Sequence, residues 1–224
     1  MMTTNWTDKQ LEKMQQEQVW IQQARAGDKR AFAAIVAAYQ APVYNLAYRM
    51  LGNPTEAEDA AQEVFLRAYT RLNTYDAGRK FSSWILSVAS HYCIDLLRRR
   101  RHHAVSLEDE SPYEQIPDFG PRPEQVTLQH EQSEQIQRLL ESLPADYRLA
   151  ITLRYWHNLS YTEMAETLHT TESAVKSRLH RAREAMAEKV RQEQALAAPK
   201  DGERRPHLRP ATTAAAHIAA IAIM

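Results

Sequence analysis

The chain has 224 residues, room for one or two domains with proper cores. Five glycines and few β-branched runs, amid many Ala, Leu, Glu, Gln and Arg, predict an all-α protein. The single cysteine, Cys93, excludes an internal disulfide framework and a Cys-rich zinc site, and 28 basic against 28 acidic side chains leave no formal net charge. The opening MMTTNWTDKQ lacks the apolar core of a signal peptide, and no stretch approaches the ~20 apolar residues of a membrane span. A cytoplasmic protein with no membrane insertion is expected, its Ala-rich end ATTAAAHIAAIAIM being too short to cross a bilayer.

In chain order, Leu11 to Ala26 predicts a first helix with Leu11, Met14, Gln18 and Ile21 near one stripe. Gly27 stops it, and Asp28 caps a second helix carrying Phe32, Ile35, Val36 and Tyr39. Pro42 suits the first turn of a third helix with Val43, Leu46, Ala47 and Met50. Gly52-Asn53-Pro54 reads as stop, cap and N1 proline, opening a helix to about Leu72 with an Ala57, Ala60, Val64 and Ala68 stripe, Phe65 and Leu72 beside it. A loop over Asn73–Arg79 leads to a helix from about Phe81 to Arg101. Pro112, Pro117, Gly120, Pro121 and Pro123 mark a linker, taken as 105–123, between a first domain over 1–104 and a second over 124–193. The second holds helices to Ser142, from Ala145 to Trp156, and a final pair; 194–224 is a tail. There is no glycine-rich cofactor loop and no internal repeat.

The neutral sum conceals an uneven distribution. Residues 104–135 carry eight acidic side chains against Arg122 alone, whereas 172–191 carry six basic against three acidic, and Arg98–Arg101 is an unbroken run. The final helix pair lies in SYTEMAETLHTTESAVKSRLHRAR, Ser160 to Arg183. Ser160 can cap a helix with Tyr161, Met164, Ala165 and Leu168 inward, and Thr171 a second with Ala174, Val175, Leu179 and Ala182 inward. That leaves Lys176, Ser177, Arg178, His180, Arg181 and Arg183 outward, a helix-turn-helix whose cations and hydroxyl suit phosphates and base edges in a major groove. A solvated basic face on an ordinary helical hairpin is the bland alternative for this stretch alone.

AEDAAQEVFLRAY (Ala57–Tyr69) with FSSWILSVASHYCIDLLRRR (Phe81–Arg100) resembles region 2 of bacterial RNA polymerase sigma factors. Leu140–Met186 resembles region 4, and the lack of a region 3 between them is similar to the extracytoplasmic-function group of the sigma-70 family. The resemblance implies two small helical domains on a flexible acidic linker, binding core RNA polymerase and promoter DNA without enzymatic activity, small-molecule substrate or cofactor. It assigns Glu58, Asp59, Gln62, Glu63, Phe65 and Leu66 to the clamp helices of the polymerase. It assigns the loop Tyr75, Asp76, Ala77, Gly78, Arg79 and Lys80 to capture of a flipped −10 base, with Tyr75 as aromatic platform. Trp84 is left open between core and stacking, and Arg98, Arg99, Arg100 and Arg101 are placed on duplex phosphates. The outward set of the last helix reads the −35 element, with Arg183 on the backbone and His180 at a specificity position. Tyr155 and Trp156 read as core and as part of the surface facing the polymerase flap. An anti-sigma factor is the implied inhibitor, and the tail is a second candidate regulator.

Two other classes are weighed. A stand-alone helix-turn-helix regulator needs tight duplex binding by itself, and a pure interaction module tolerates charge reversal at Lys176 or Arg178. Cys93 sits in an apolar stretch and reads as a buried structural thiol, with His91 two residues away and aimed elsewhere on a helix. The histidines, His102-His103 included, are scattered and give no metal-ligand spacing.

Overall fold

The structure, a computed structural model, describes residues 4–106 and 124–197. These form eight α-helices with no strand among the described residues. In the first lobe α1 is Thr4–Arg25, α2 Lys29–Leu51, α3 Pro54–Arg71 and α4 Phe81–Ser106, with a single 3-10 turn at Leu72–Thr74. In the second lobe α5 is Glu124–Glu141, α6 Ala145–Tyr155, α7 Tyr161–Thr167 and α8 Glu172–Ala197.

Local chemistry sets the helix ends. Asp28 Oδ1 accepts from the Arg30 and Ala31 amides, and Asn53 Oδ1 from the Glu56 amide at 3.1 Å ahead of Pro54. Gly52 ends α2 in the left-handed region, at φ 80°, and its amide bonds Tyr48 O.

Two helix predictions need correction. Pro42 does not open a helix, because α2 runs unbroken through it. The proline forfeits one backbone bond, but Ile35 on one side and Val43, Leu46, Ala47 and Met50 on the other are buried against the same neighbours, which holds both halves in line. The stripe on α1 is only half right: Ile21 is buried, while Leu11 and Met14 stay more than half exposed. Among the described side chains of α1, the core takes Trp20, Ile21 and Ala24, all in its last two turns.

Helix α2 is the hub, packed by α1, α3 and α4 of its own lobe and also by α5 and α6 of the other. The lobes therefore share one continuous core rather than standing apart. The contact is polar as well as apolar. Arg148 of α6 donates to Met50 O, and Gln137 Nε2 of α5 lies 3.3 Å from both Tyr48 O and Arg49 O. Arg49 O and Met50 O belong to the last turn of α2, which has no intrahelical donor for them, so the second lobe helps to cap the first lobe's central helix.

Candidate nucleic-acid interface

The helix-turn-helix is built from two side-chain caps and a tight turn. Ser160 Oγ accepts from the Glu163 amide at 3.2 Å while Glu163 Oε2 accepts from the Ser160 amide at 2.8 Å, a reciprocal capping box. Helix α7 ends in a Schellman motif: the Thr170 amide bonds Ala165 O, the His169 amide bonds Glu166 O, and His169 itself takes φ 49°. Thr171 Oγ1 then accepts from the Ala174 amide at 3.2 Å and opens α8.

The outward face of α8 is where the sequence puts it. Val175, Leu179, Ala182 and Met186 are buried; Lys176, Ser177, His180 and Arg181 are exposed, and Arg178 and Arg183 half-exposed. Lys176 lies 4.0 Å from Glu172 and over the Tyr161 ring, and His180 Nε2 is 3.4 Å from Glu184 Oε1. Such exposed pairs are worth at most ~1 kcal/mol, so Lys176 remains available to a polyanion.

The loop before α4 is ordered by its own side chains. Asp76 Oδ1 accepts from the Gly78 amide at 2.9 Å, and Tyr75 donates its hydroxyl to Arg79 O at 2.6 Å. Arg25 of α1 donates to Leu72 O and to Tyr75 O. Tyr75 is consequently not the exposed platform the sequence suggests. It is 3% exposed, with its ring 5.1 Å from Phe81 and 5.6 Å from Trp84. The 3-10 turn aims the ring inward, where burying an aromatic outweighs exposing it.

Trp84 is half-buried, resting on Phe81 while lining a cavity of about 670 Å³. Asp76, Arg79, Arg71 and His91 line the same cavity, and Glu166, Thr167 and His169 of α7 and its turn close it from the other lobe. Lys80 is not open to solvent on all sides, because its Nζ pairs with Glu163 Oε1 at 2.7 Å. That hydrogen bond, with the Ser160 amide, holds the Glu163 carboxyl at about 2 against the opposing effect of burial.

The arginine run fans out as a helix requires. Arg98, Arg99 and Arg101 are exposed; Arg98 lies 4.0 Å from Asp95, and Arg100 is drawn back onto Glu56 of α3. On α3, Glu58, Asp59 and Gln62 are exposed and Glu63 is tied to Arg67 at 2.7 Å. Leu66 is 64% exposed, with Tyr69 beside it as a second apolar group. Phe65, assigned to the same face, is instead 8% exposed, because it follows Val64 on the inward side with Ala61, Ala68 and Leu72 at helical spacing.

Trp156 is likewise not simply presented outward: Arg49 of α2 covers its ring, with Cζ 4.8 Å from the centroid. Cys93 is fully buried, which pushes its thiol up to about 12 and leaves it unreactive, as its apolar neighbours predict. No group of three or more His, Cys, Asp or Glu side chains among the described residues is placed to hold a metal ion. No described helix is long and apolar enough to cross a membrane. His102 and His103 have no described side chains, and the acidic linker 107–123 and the tail from 198 lie outside the described residues.

Sequence reasoning missed the groups that join the lobes: Gln137, Arg148, Glu163 and the His91–His169 ring stack at 5.3 Å. Only Glu163 carried a signal, the Ser160-x-x-Glu163 spacing of a capping box, and that spacing says nothing of Lys80.

Fold and site together define a two-lobed helical protein with a capped helix-turn-helix and an exposed face on α3 that is acidic and partly apolar. A family model for Sigma-70 region 2 matches residues 35–103, and one for Sigma-70, region 4 matches residues 133–186. ECF RNA polymerase sigma factor SigW of Bacillus subtilis (strain 168) is 40% identical over 177 residues, 76% of this chain and 95% of that one. ECF RNA polymerase sigma-E factor of Escherichia coli (strain K12) is 32% identical over 181 residues, 78% of this chain and 94% of that one. CnrH, solved in complex with the cytosolic domain of CnrY, shares the fold at TM-score 0.59 and 22% identity, over 80% of this chain and 99% of that one. The chain belongs to the sigma-70 family of RNA polymerase sigma factors, in its extracytoplasmic-function (ECF) group.

Proposed function

We propose that this sigma factor directs core RNA polymerase to promoters by reading a −35 element with α8 and capturing a −10 base beside α4. The observation that carries this is the outward face of α8, where Lys176, Ser177, His180 and Arg181 stand exposed on a helix fixed by two caps. Arg178 joins them over base edges, and Arg183 lies toward the phosphate backbone. At the −10 element Asp76 and Arg79 line the cavity, with Gly78 and Lys80 beside them in the same loop; Trp84 supplies the stacking surface in place of Tyr75, and Arg98, Arg99 and Arg101 hold upstream phosphates. Glu58, Asp59, Gln62, Glu63 and Leu66 meet cationic and apolar groups of the polymerase clamp, with Trp156 near the flap.

The polymerase supplies the phosphoryl-transfer chemistry, and this chain supplies binding energy and base capture in the cytoplasm. An anti-sigma factor is its regulatory partner. Besides CnrH with CnrY, the sigma factor RpoE of Bartonella quintana, solved in complex with the anti-sigma factor NepR, shares the fold at TM-score 0.54 and 20% identity.

Run-off transcription with purified core polymerase and a promoter library tests the assignment. Transcripts from a defined set of starts, lost with Arg178→Glu, support it. Tight duplex binding by the chain alone, without transcripts, replaces it with a stand-alone regulator.

A further inference from the structure

Helix α3 turns one face to solvent. Glu58 and Gln62 stand exposed on it, and Leu66 and Tyr69 remain 64% and 40% exposed. Positions 58, 62, 66 and 69 recur at helical spacing, so this side of α3 runs from acidic, with Asp59 alongside, to apolar. The other large apolar side chains exposed among the described residues, Leu11, Met14 and Val19, all belong to α1.

Two long segments lie outside the described residues, and charge separates them as occupants of that face. The linker 107–123 carries five acidic side chains against Arg122, so Glu58 and Asp59 repel it. The stretch 204–224 carries Arg204, Arg205 and Arg209 with no acidic side chain, and its apolar end spaces Ala214, Ile218 and Ile221 at i, i+4 and i+7. Between α8 and Arg209 the 11 residues 198–208 can span up to ~36 Å, about the ~39 Å length of α8 itself. That tether is long enough to leave the second lobe.

We propose that this cationic, then apolar, tail folds back on α3, with Arg209 at Glu58 and Asp59 and with Ile218 and Ile221 covering Leu66 and Tyr69. The spacings agree when the tail runs parallel to α3 as a helix opened by Pro210. At a rise of ~1.5 Å per residue Arg209 stands ~14 and ~18 Å ahead of Ile218 and Ile221, as Glu58 stands ~12 and ~17 Å ahead of Leu66 and Tyr69. Opposite charge sets the register and the apolar pair supplies the burial. The consequence rests on the assignment of this face to the polymerase clamp: in the free chain the tail holds the face until polymerase displaces it. The covering itself does not depend on that assignment.

The test labels full-length Gln62→Cys, at the centre of the face, with fluorescein maleimide. Cys93 is fully buried with its thiol pushed up to about 12, so the rate reports position 62 alone. Adding Arg205→Glu with Arg209→Glu, or Ile218→Asp with Ile221→Asp, is expected to speed labelling about three- to tenfold, as for a site covered some 70–90% of the time. All four changes lie outside the described helices. An unchanged rate with both pairs overturns the proposal. So does an equal gain at Met14→Cys on α1, which would make the tail a general cover for apolar surface. A gain that grows with protein concentration also overturns it, in favour of a tail supplied by a second copy. Core polymerase affinity, measured with the tail changes alone, separates the two levels. Severalfold tighter binding supports both; faster labelling with unchanged affinity keeps the covering and removes the clamp assignment.

Discussion

Arg148 on α6 donates to the carbonyl of Met50 at the end of α2, so a guanidinium from the second lobe finishes the central helix of the first. The same side chain reaches Glu141 O at 2.7 Å and Leu143 O at 3.4 Å, and burial pulls its pKa below the usual arginine range while Glu141 opposes that shift. Residues far apart in sequence thus share one polar knot on which both lobes depend.

Replacing Arg148 by Met keeps the apolar stem and strands three carbonyls at once. A loss of about 2–4 kcal/mol is expected, in the range for deleting one partner of buried charged hydrogen bonds. Urea denaturation followed by circular dichroism reads it. An unchanged midpoint means that water replaces the guanidinium at no penalty.

Neighbouring residues on α3 should behave oppositely. Phe65→Ala opens the core and is expected to destabilise by about 3–5 kcal/mol. Leu66→Ala, at an exposed site, should stay within about 0.5 kcal/mol of wild type yet weaken binding to core polymerase. Thermal melts and a polymerase pull-down separate the pair. Equal stability losses would show that Leu66 packs inward.

His157 makes the second lobe acid-sensitive. Burial lowers its pKa to about 4 from 6.5, and its Nε2 is buried without a partner. The unfolded chain takes up the proton near pH 6.5 and the folded one only near 4. Stability is therefore complete above 6.5 and falls progressively as the pH drops toward 4, by up to roughly 3 kcal/mol. His157→Phe should flatten that segment of a stability-against-pH curve. A slope that persists in the variant assigns the effect to another group.

Exposed cations on α8 should announce themselves in the salt dependence of duplex binding. Lys176→Ala or Arg183→Ala, if each removes one phosphate contact, lowers the log–log slope by about one unit. Fluorescence anisotropy of a −35 duplex across a salt series measures it. A slope equal to wild type would place that side chain off the backbone.

The sequence by itself determined the all-α class, the caps at Asp28, Asn53, Ser160 and Thr171, and the outward cationic face of α8, because caps and helical periodicity act within a few residues. It misplaced Phe65 and Tyr75, where an aromatic at a plausible interface position gained more from joining the core. It split α2 at Pro42, since the burial that holds the two halves together comes from other helices. Tertiary structure alone decided that the two lobes meet, that Arg148 and Gln137 finish α2, and that Glu163 takes Lys80. Those pairs are joined by packing between elements, and no local pattern of charge or spacing encodes which carbonyl a distant arginine will find.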